Sequence, residues 1–288
     1  MIIMKVALFL NPVKNGIFEY AEKVIKKLQS FGAEAFLYKN KAQDSFDKNV
    51  YLSKDIDEFI KKCDVILTIG GDGTLIHLAK YAAKFSKPIL GINFGRLGFV
   101  TGLERDELDK LELLVNGEYA VQNRTLLEVS AHKNGDVKTV LAVNDAVISK
   151  GENTKIVDFS IKLNGSEVCD YRADGLILST STGSTAYSMS AGGPIISPEL
   201  DCILMTPICP YSMFAKPVIF SVNDSIEITV SAKDKGKIFL NIDGDNVLNL
   251  ADCDRVIVKC AQKKVNIISF DNRCFYKRLE EKLLNKDA

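Results

Sequence analysis

Val65-Ile66-Leu67-Thr68-Ile69-Gly70-Gly71-Asp72-Gly73-Thr74-Leu75 places a single carboxylate inside a glycine turn. The run before it is short, apolar and β-branched, as in a buried strand. After it, Leu75, Leu78, Ala79, Ala82 and Phe85 recur at helical spacing. The turn therefore joins a strand to a helix, which sets an α/β reading for the first part of the chain. Glycines let backbone N–H groups approach an anion, and a helix N-terminus adds unpaired donors and the positive end of its dipole. Gly70, Gly71, Gly73 and Thr74 are thus a candidate phosphate loop around Asp72. The plainer alternative is an ordinary α/β turn in which Asp72 caps the helix. Neither G-x-x-x-x-G-K-[ST] nor the third glycine of G-x-G-x-x-G is present.

Outward from this turn, strands and helices alternate. Strands are expected at residues 5–10, 34–38, 65–69 and 88–92. A helix carries Ile17, Tyr20, Ala21, Val24, Ile25 and Leu28 and stops at Gly32; another starts near Ser53 and carries Ile56, Phe59 and Ile60. Residues 39–49 read as a polar loop, and a helix with Leu108, Leu111 and Leu114 ends before Gly117. This order predicts a parallel, doubly wound sheet. Beyond about residue 120, short strands are expected at 126–131, 137–143, 156–163, 176–179, 226–230, 237–242, 255–260 and 265–270, with hairpin signals at Asn134-Gly135 and Asn164-Gly165. A last helix spans 275–284. The expected division is an α/β phosphate-binding domain at 1–121, with residues 271–288 packing back on it, and a mainly β, sandwich-like domain at 122–270. The glycine loop would face a cleft at the junction.

Composition narrows the function. The 288 residues are 47% hydrophobic, enough for a large core, and 37 basic residues cancel 37 acidic ones. No overall field recruits nucleic acid or an anionic membrane, so an anion site must be local. Seven cysteines without C-x-x-C pairs, beside two histidines, argue against a disulfide framework or structural zinc and fit a reduced cytoplasm. Pro12 ends the apolar opening, and Pro207, Pro210, Pro217 and Lys216 interrupt the apolar stretch 202–220, so a soluble protein is expected.

Three further clusters carry candidate chemistry. Asn93-Phe94-Gly95-Arg96-Leu97-Gly98-Phe99 follows the next strand and, in a parallel sheet, emerges at the same edge as the glycine turn. Phe99 reads either as core or as an aromatic face for an adenine. Asn144-Asp145 sits between apolar triplets; a bulge or a ribose or adenine edge explains it equally well. Residues 171–194 are densest, with hydroxyls and glycines from Ser179 to Ser190 and a helix start near Thr185.

Taken together, these motifs resemble the NAD kinase family over most of the chain. The resemblance rests on Gly70–Thr74, Asn93–Phe99, Gly117-Glu118-Tyr119 before Arg124, Asn144-Asp145, Asp174-Gly175, Thr182-Gly183-Ser184-Thr185-Ala186-Tyr187, Ser190-Ala191-Gly192-Gly193-Pro194-Ile195, Thr206-Pro207-Ile208-Cys209-Pro210 and Asp243-Gly244. It implies an N-terminal α/β domain, a C-terminal β domain, a homodimer or homotetramer, and phosphorylation of NAD at the 2′-hydroxyl of its adenosine ribose to give NADP. ATP or polyphosphate would be the donor, with Mg²⁺ or another divalent cation carried on the donor phosphates rather than by fixed protein ligands.

By the same resemblance Asp72 is the catalytic carboxylate and Gly73 faces phosphates. Asn144 and Asp145 hold the adenosine end, while Thr182, Thr185, Ala186 and Tyr187 line the NAD pocket with Ser188, Ser190 and Asp245. Arg172 and Asp174 reach the nicotinamide side, from the same or a neighbouring subunit. Lys155 stands at a usually basic position, and His77 either approaches phosphate or is a partly buried helix histidine. Asp145, Ser181, Tyr211, Lys216 and Asp245 depart from the family's common glutamate, proline, histidine, arginine and glutamine. Because phosphoryl transfer passes through a loose transition state, Asp72 is expected to orient the acceptor hydroxyl rather than act as a strong base. The rival readings are a lipid or sugar-phosphate kinase sharing the GGDG turn, and a non-catalytic NAD-binding regulator.

Overall fold

The computed structural model describes residues 3–38, 55–95, 97–151, 155–231, 237–270 and 275–284. The chain divides into two compact units, Met1–Asn123 with Val265–Ala288, and Arg124–Lys264. The first is α/β and the second is mostly β.

In the first unit, β1 (Lys5–Leu10), α1 (Ile17–Ser30), β2 (Glu34–Leu37), α2 (Ile56–Lys61), β3 (Val65–Gly70), α3 (Asp72–Lys84), β4 (Ile89–Asn93) and α4 (Leu111–Asn116) follow in order. The strands are parallel, β1 lying between β2 and β3, with β4 beyond β3. Buried strands of this kind read as continuous apolar runs because helices cover the sheet, and every residue of β3 and β4 is buried. Helix α1 buries Ile17, Tyr20, Ala21, Val24 and Leu28, one stripe at helical spacing, against Val6, Leu8, Leu67 and Ile69. Gly32 (φ +88°) and Gly117 (φ +76°) leave their helices in the left-handed region. The expected loop at 39–49 and the helix start near Ser53 lie outside the described residues; α2 is capped by Asp55, which accepts a hydrogen bond from Asp57 N.

The second unit holds most of β5 (Ala120–Lys133), β6 (Asp136–Ala142), β7 (Asp145–Lys150), β8 (Val157–Leu163), β9 (Ser166–Ala173), β10 (Gly175–Ser179), α5 (Tyr187–Ser190), β11 (Cys202–Ile208), β12 (Val218–Ser221), β13 (Ser225–Ser231), β14 (Ile238–Ile242), β15 (Asp245–Leu250) and most of β16 (Arg255–Ser269). One sheet runs β12-β11-β10-β7-β14-β15, antiparallel throughout. In the other, β13 lies between β16 and β8, β9 follows β8, and β5 pairs with β6 and β16. Leu127, Phe159, Leu178, Ile203, Ile228 and Val258, from both sheets, share the core of the unit. Three Asx-Gly hairpins close it, at Asn134-Gly135, Asn164-Gly165 and Asp243-Gly244, each with positive φ at both positions, as a type I′ turn requires.

The chain re-enters the first unit at the end of β16, where Ile267 lies parallel to Ile89 of β4, and closes with α6 (Phe275–Leu284). Several elements differ from expectation. Residues 255–260 and 265–270 form one strand, since the intervening Gln262, Lys263 and Lys264 are exposed along a ladder that continues through them. Strands β9, β12 and β15 lack clean alternation because much of their surface is exposed. Helix α3 begins at Asp72, three residues before its apolar stripe. Among the described residues, no helix is long and apolar enough to cross a membrane.

Candidate active site

In the first unit β3 and β4 end side by side, Gly70 opposite Asn93, so the turns that follow them meet. Gly71 is the N-cap of α3 in extended conformation, and Asp72 is its first helical residue. The side chain of Asp72 makes no cap. Its Oδ2 accepts a hydrogen bond from Phe99 N at 2.6 Å, and its Oδ1 accepts from Val100 N at 3.1 Å and Thr101 N at 3.2 Å. The cap reading of Asp72 is thereby replaced: the carboxylate is aimed across the turn and held by the neighbouring loop. Charge-assisted bonds of this type are the stronger class.

Glycines make the approach feasible. A Cβ on Gly98 would collide with Asp72 Oδ1 and Thr101 Oγ1, and one on Gly70 with the Thr74 side chain, whereas Gly73 is open on its outer face. Lys14, on the turn between β1 and α1, reaches this turn, its Nζ donating to Phe94 O at 2.6 Å and standing 3.9 Å from where a Gly71 Cβ would be. Lys14 was not among the sequence candidates; its only signal was a cation four residues after the first strand. His77 is exposed on α3, its ring 6.3 Å from that of Tyr81. The half-buried Phe99 has its ring 3.7 Å below Lys282 Nζ of α6, and Arg278 Nη1 of α6 donates to Thr101 O at 3.2 Å. Arg96 lies outside the described residues.

In the second unit Asp145 opens β7, opposite Ser179 on β10. Asp243 at the β14–β15 turn organises this corner: its carboxylate accepts from Val143 N, Asn144 N and Asp145 N at 2.7–3.2 Å. Thr180 bonds the same segment from the other side, its N donating to Asn144 O and its Oγ1 to Val143 O, while Gly183 N donates to Thr180 Oγ1. A Cβ on Gly183 would strike the Asn144 backbone, so the Thr182–Thr185 turn packs directly on the Asn144 peptide. Local pattern left Asn144-Asp145 as bulge or ligand edge; the structure makes it the entry to a regular strand, cross-braced by Asp243.

This corner leaves polar groups unspent. Asp145 is 5% exposed, and its carboxylate accepts no hydrogen bond from the described residues. Burial, and then the Asp243 carboxylate, push its pKa from the ordinary 3.8 to about 7. Ser179 Oγ and Thr182 Oγ1 are likewise buried without a partner. Buried polar atoms are normally paired, and a strand pair carrying a carboxyl and a hydroxyl, beside a turn carrying a second hydroxyl, is suited to a polyhydroxy ligand.

The other sequence candidates fall as follows. Arg172 is exposed, pairs with Asp158 at 2.9 Å and lies 5.5 Å from the Tyr211 ring; Asp174 pairs with Lys150 at 2.6 Å. Tyr211 N donates to Arg172 O and Asp174 N to Ile208 O, which gathers Arg172, Asp174 and Tyr211 at one end of the sheet. Thr185 Oγ1 donates to Thr182 O at 3.3 Å, Ala186 closes the turn and Tyr187 is 48% exposed. Ser188 is buried, with its hydroxyl 2.8 Å from Thr206 Oγ1. Lys155, Ser190 and Asp245 are exposed.

Comparison with known proteins agrees with this architecture. Residues 6–119 match the ATP-NAD kinase N-terminal domain and residues 143–270 the ATP-NAD kinase C-terminal domain. The chain is 38% identical over 282 residues to an NAD kinase of Chlorobium luteolum, covering 98% of this chain and 97% of that one. It is 42% identical over 233 residues to an NAD kinase of Chlorobium limicola, covering 81% and 80%. Two solved structures share the fold: yeast NADH kinase complexed with NADH (TM-score 0.86, 24% identity, 99% of this chain and 89% of that chain) and an Archaeoglobus fulgidus NAD kinase in complex with ATP (TM-score 0.75, 24% identity, 98% and 99%). The two family matches and the curated relatives place the chain among the kinases. The chain belongs to the NAD kinase family.

Proposed function

We propose that the protein transfers a phosphoryl group from ATP, or from polyphosphate, to the 2′-hydroxyl of the adenosine ribose of NAD, producing NADP. The observation that carries this reading is the Asp72 carboxylate, fixed at the head of α3 by three backbone N–H groups. In a loose transition state, positioning and charge neutralisation supply most of the acceleration. A carboxylate locked in one orientation is suited to align an attacking hydroxyl and to take its proton as the bond to phosphorus forms. The open face of Gly73 and the α3 N-terminus suit the phosphates that surround that hydroxyl. On the second unit, Asn144, Asp145 and Thr182 take the adenosine end, with Thr185, Ala186 and Tyr187 beside them and Arg172 and Asp174 toward nicotinamide.

A divalent cation such as Mg²⁺ would arrive on the donor phosphates and neutralise their charge. The residues present fit that route, since both Asp72 oxygens are engaged by backbone N–H groups. The ATP complex of the Archaeoglobus relative supports ATP as donor. A homo-oligomer belongs to the same reading, supported by Tyr211, Met213 and Phe214, which are 73–88% exposed just before edge strand β12.

The test is to incubate pure protein and Mg²⁺ with NAD or NADH and with ATP or polyphosphate, and to assay NADP or NADPH. Formation of either product supports the proposal; no product from any pair overturns it. NAD binding without turnover would point to a regulator, and phosphorylation of a lipid or sugar phosphate to a related kinase.

A further inference from the structure

The Asp72 carboxylate takes its orientation from one short segment, since its three hydrogen-bond donors are the consecutive amides of Phe99, Val100 and Thr101. Any slack in that segment becomes slack in the carboxylate. Glycine precedes it: Gly98 must lack a side chain to pass Asp72, so the approach is close, but a glycine contributes no grip of its own. The grip comes from the far end of the sequence. Lys282 Nζ stands 3.7 Å over the Phe99 ring, and Arg278 Nη1 donates to Thr101 O at 3.2 Å. These contacts fall on the first and third residues of the donor triplet. They come from positions four apart in α6, which share one helical face.

The Lys282 contact is more than an exposed cation resting on an aromatic surface. Burial lowers the pKa of the ammonium, and the negative charge of Asp72 acts against that shift, so the two charges sense one another across the loop. Cation–π attraction strengthens when the cation is desolvated. Helix α6 thus meets the loop by a cation–π contact and a carbonyl hydrogen bond, both made to residues whose amides hold Asp72.

We propose that Lys282 and Arg278 are positioning residues that clamp the 99–101 segment and thereby hold Asp72 in its productive orientation. The assignment rests on Asp72 acting in phosphoryl transfer to NAD. It distinguishes the two residues from direct ligands of substrate or donor, because a positioning residue acts on turnover and leaves the affinity of both reactants in place.

The test uses the full chain and two readouts. Lys282→Met keeps the aliphatic stem and removes the charge; Lys282→Arg keeps a cation over Phe99; Arg278→Met removes the donor to Thr101 O. By hydrogen exchange, the amides of residues 99–101 should exchange at least about tenfold faster in Lys282→Met and Arg278→Met than in the wild type, and within about twofold of it in Lys282→Arg. In the NADP assay, kcat should fall about tenfold in both methionine variants, with KM for NAD and for the donor within about twofold, and Lys282→Arg should recover most of the loss. Unchanged exchange at 99–101 overturns the proposal, as does a rise in KM for either reactant at unchanged kcat, which would make the residue a ligand. If the wild type makes no NADP while exchange responds as expected, the clamp stands and the reaction assigned to Asp72 fails.

Discussion

Asp145→Asn should stabilise the protein at alkaline pH and lose most of that advantage as the pH falls. In the folded protein the carboxyl is 5% exposed and faces the Asp243 carboxylate, so its pKa is raised from 3.8 to about 7. A group raised on folding binds its proton more tightly in the native state. Its contribution to stability is therefore fully present below the unfolded pKa and is lost as pH rises through the folded one. At roughly 1.4 kcal/mol per pKa unit, the gap amounts to about 4 kcal/mol of native-state cost above pH ~7, about 1.5 kcal/mol near pH 5, and nearly nothing below pH ~4. Asparagine carries no such cost. The advantage of the variant should grow by about 2–3 kcal/mol between pH ~5 and pH ~8, or about 5–10 °C in Tm at 2–4 °C per kcal/mol. Thermal unfolding of both proteins, followed by circular dichroism across that range, measures it. A Tm difference that stays constant with pH within about 1 °C would refute the argument, because it would show that Asp145 does not change its protonation on folding. The same logic extends to the ligand: hydroxyl donors on Asp145 favour its charged form, so NAD affinity should strengthen as pH rises through ~7 in the wild type and lie flat in the variant.

Asp72→Asn should abolish NADP formation while calorimetry finds NAD affinity within about twofold of wild type, since the amide cannot take the proton and sets an N–H donor against one of the backbone donors that hold the carboxylate; near-normal turnover would remove Asp72 from its role. Gly98→Ala drives a methyl into Asp72 Oδ1 and Thr101 Oγ1, and should lower kcat by about a hundredfold, as small misplacements of reacting groups do; a kcat within about threefold would show that the loop yields. Asp243→Ala strips the acceptor from Val143 N, Asn144 N and Asp145 N, and should destabilise by about 3–5 kcal/mol, seen as a lower urea midpoint. An unchanged midpoint would mean that water replaces the carboxylate there.

Much of the first unit was legible because a parallel sheet under helices buries whole strands, and buried strands appear as apolar runs. Residues 5–10 and 65–69 carry that signature, and the stripe from Ile17 to Leu28 is the one α1 buries. The three hairpin turns were marked by Asx-Gly dipeptides, though Asp243-Gly244 entered the sequence reading only as a family motif. Strand β9 was hidden because its outward face is exposed and mixed in character, and β11 was not among the expected strands because a proline lacks a ladder donor, yet Pro207 is accommodated within a buried strand.

The site divided along the same line. Asp72 and Asn144-Asp145 could be named from local sequence, because a glycine turn between strand and helix, and polar residues inside an apolar strand, are anomalies visible within ten residues. What each carboxylate does was not visible at that range. The donors to Asp72 lie 27–29 residues away, those to Asp243 lie 98–100 residues away, and Arg278 reaches Thr101 across 177 residues. Local chemistry determined which groups can bond and which backbone shapes are allowed. Only the folded chain decided which were paired and which left unspent, because burial and charge at a residue come from whatever the topology brings beside it.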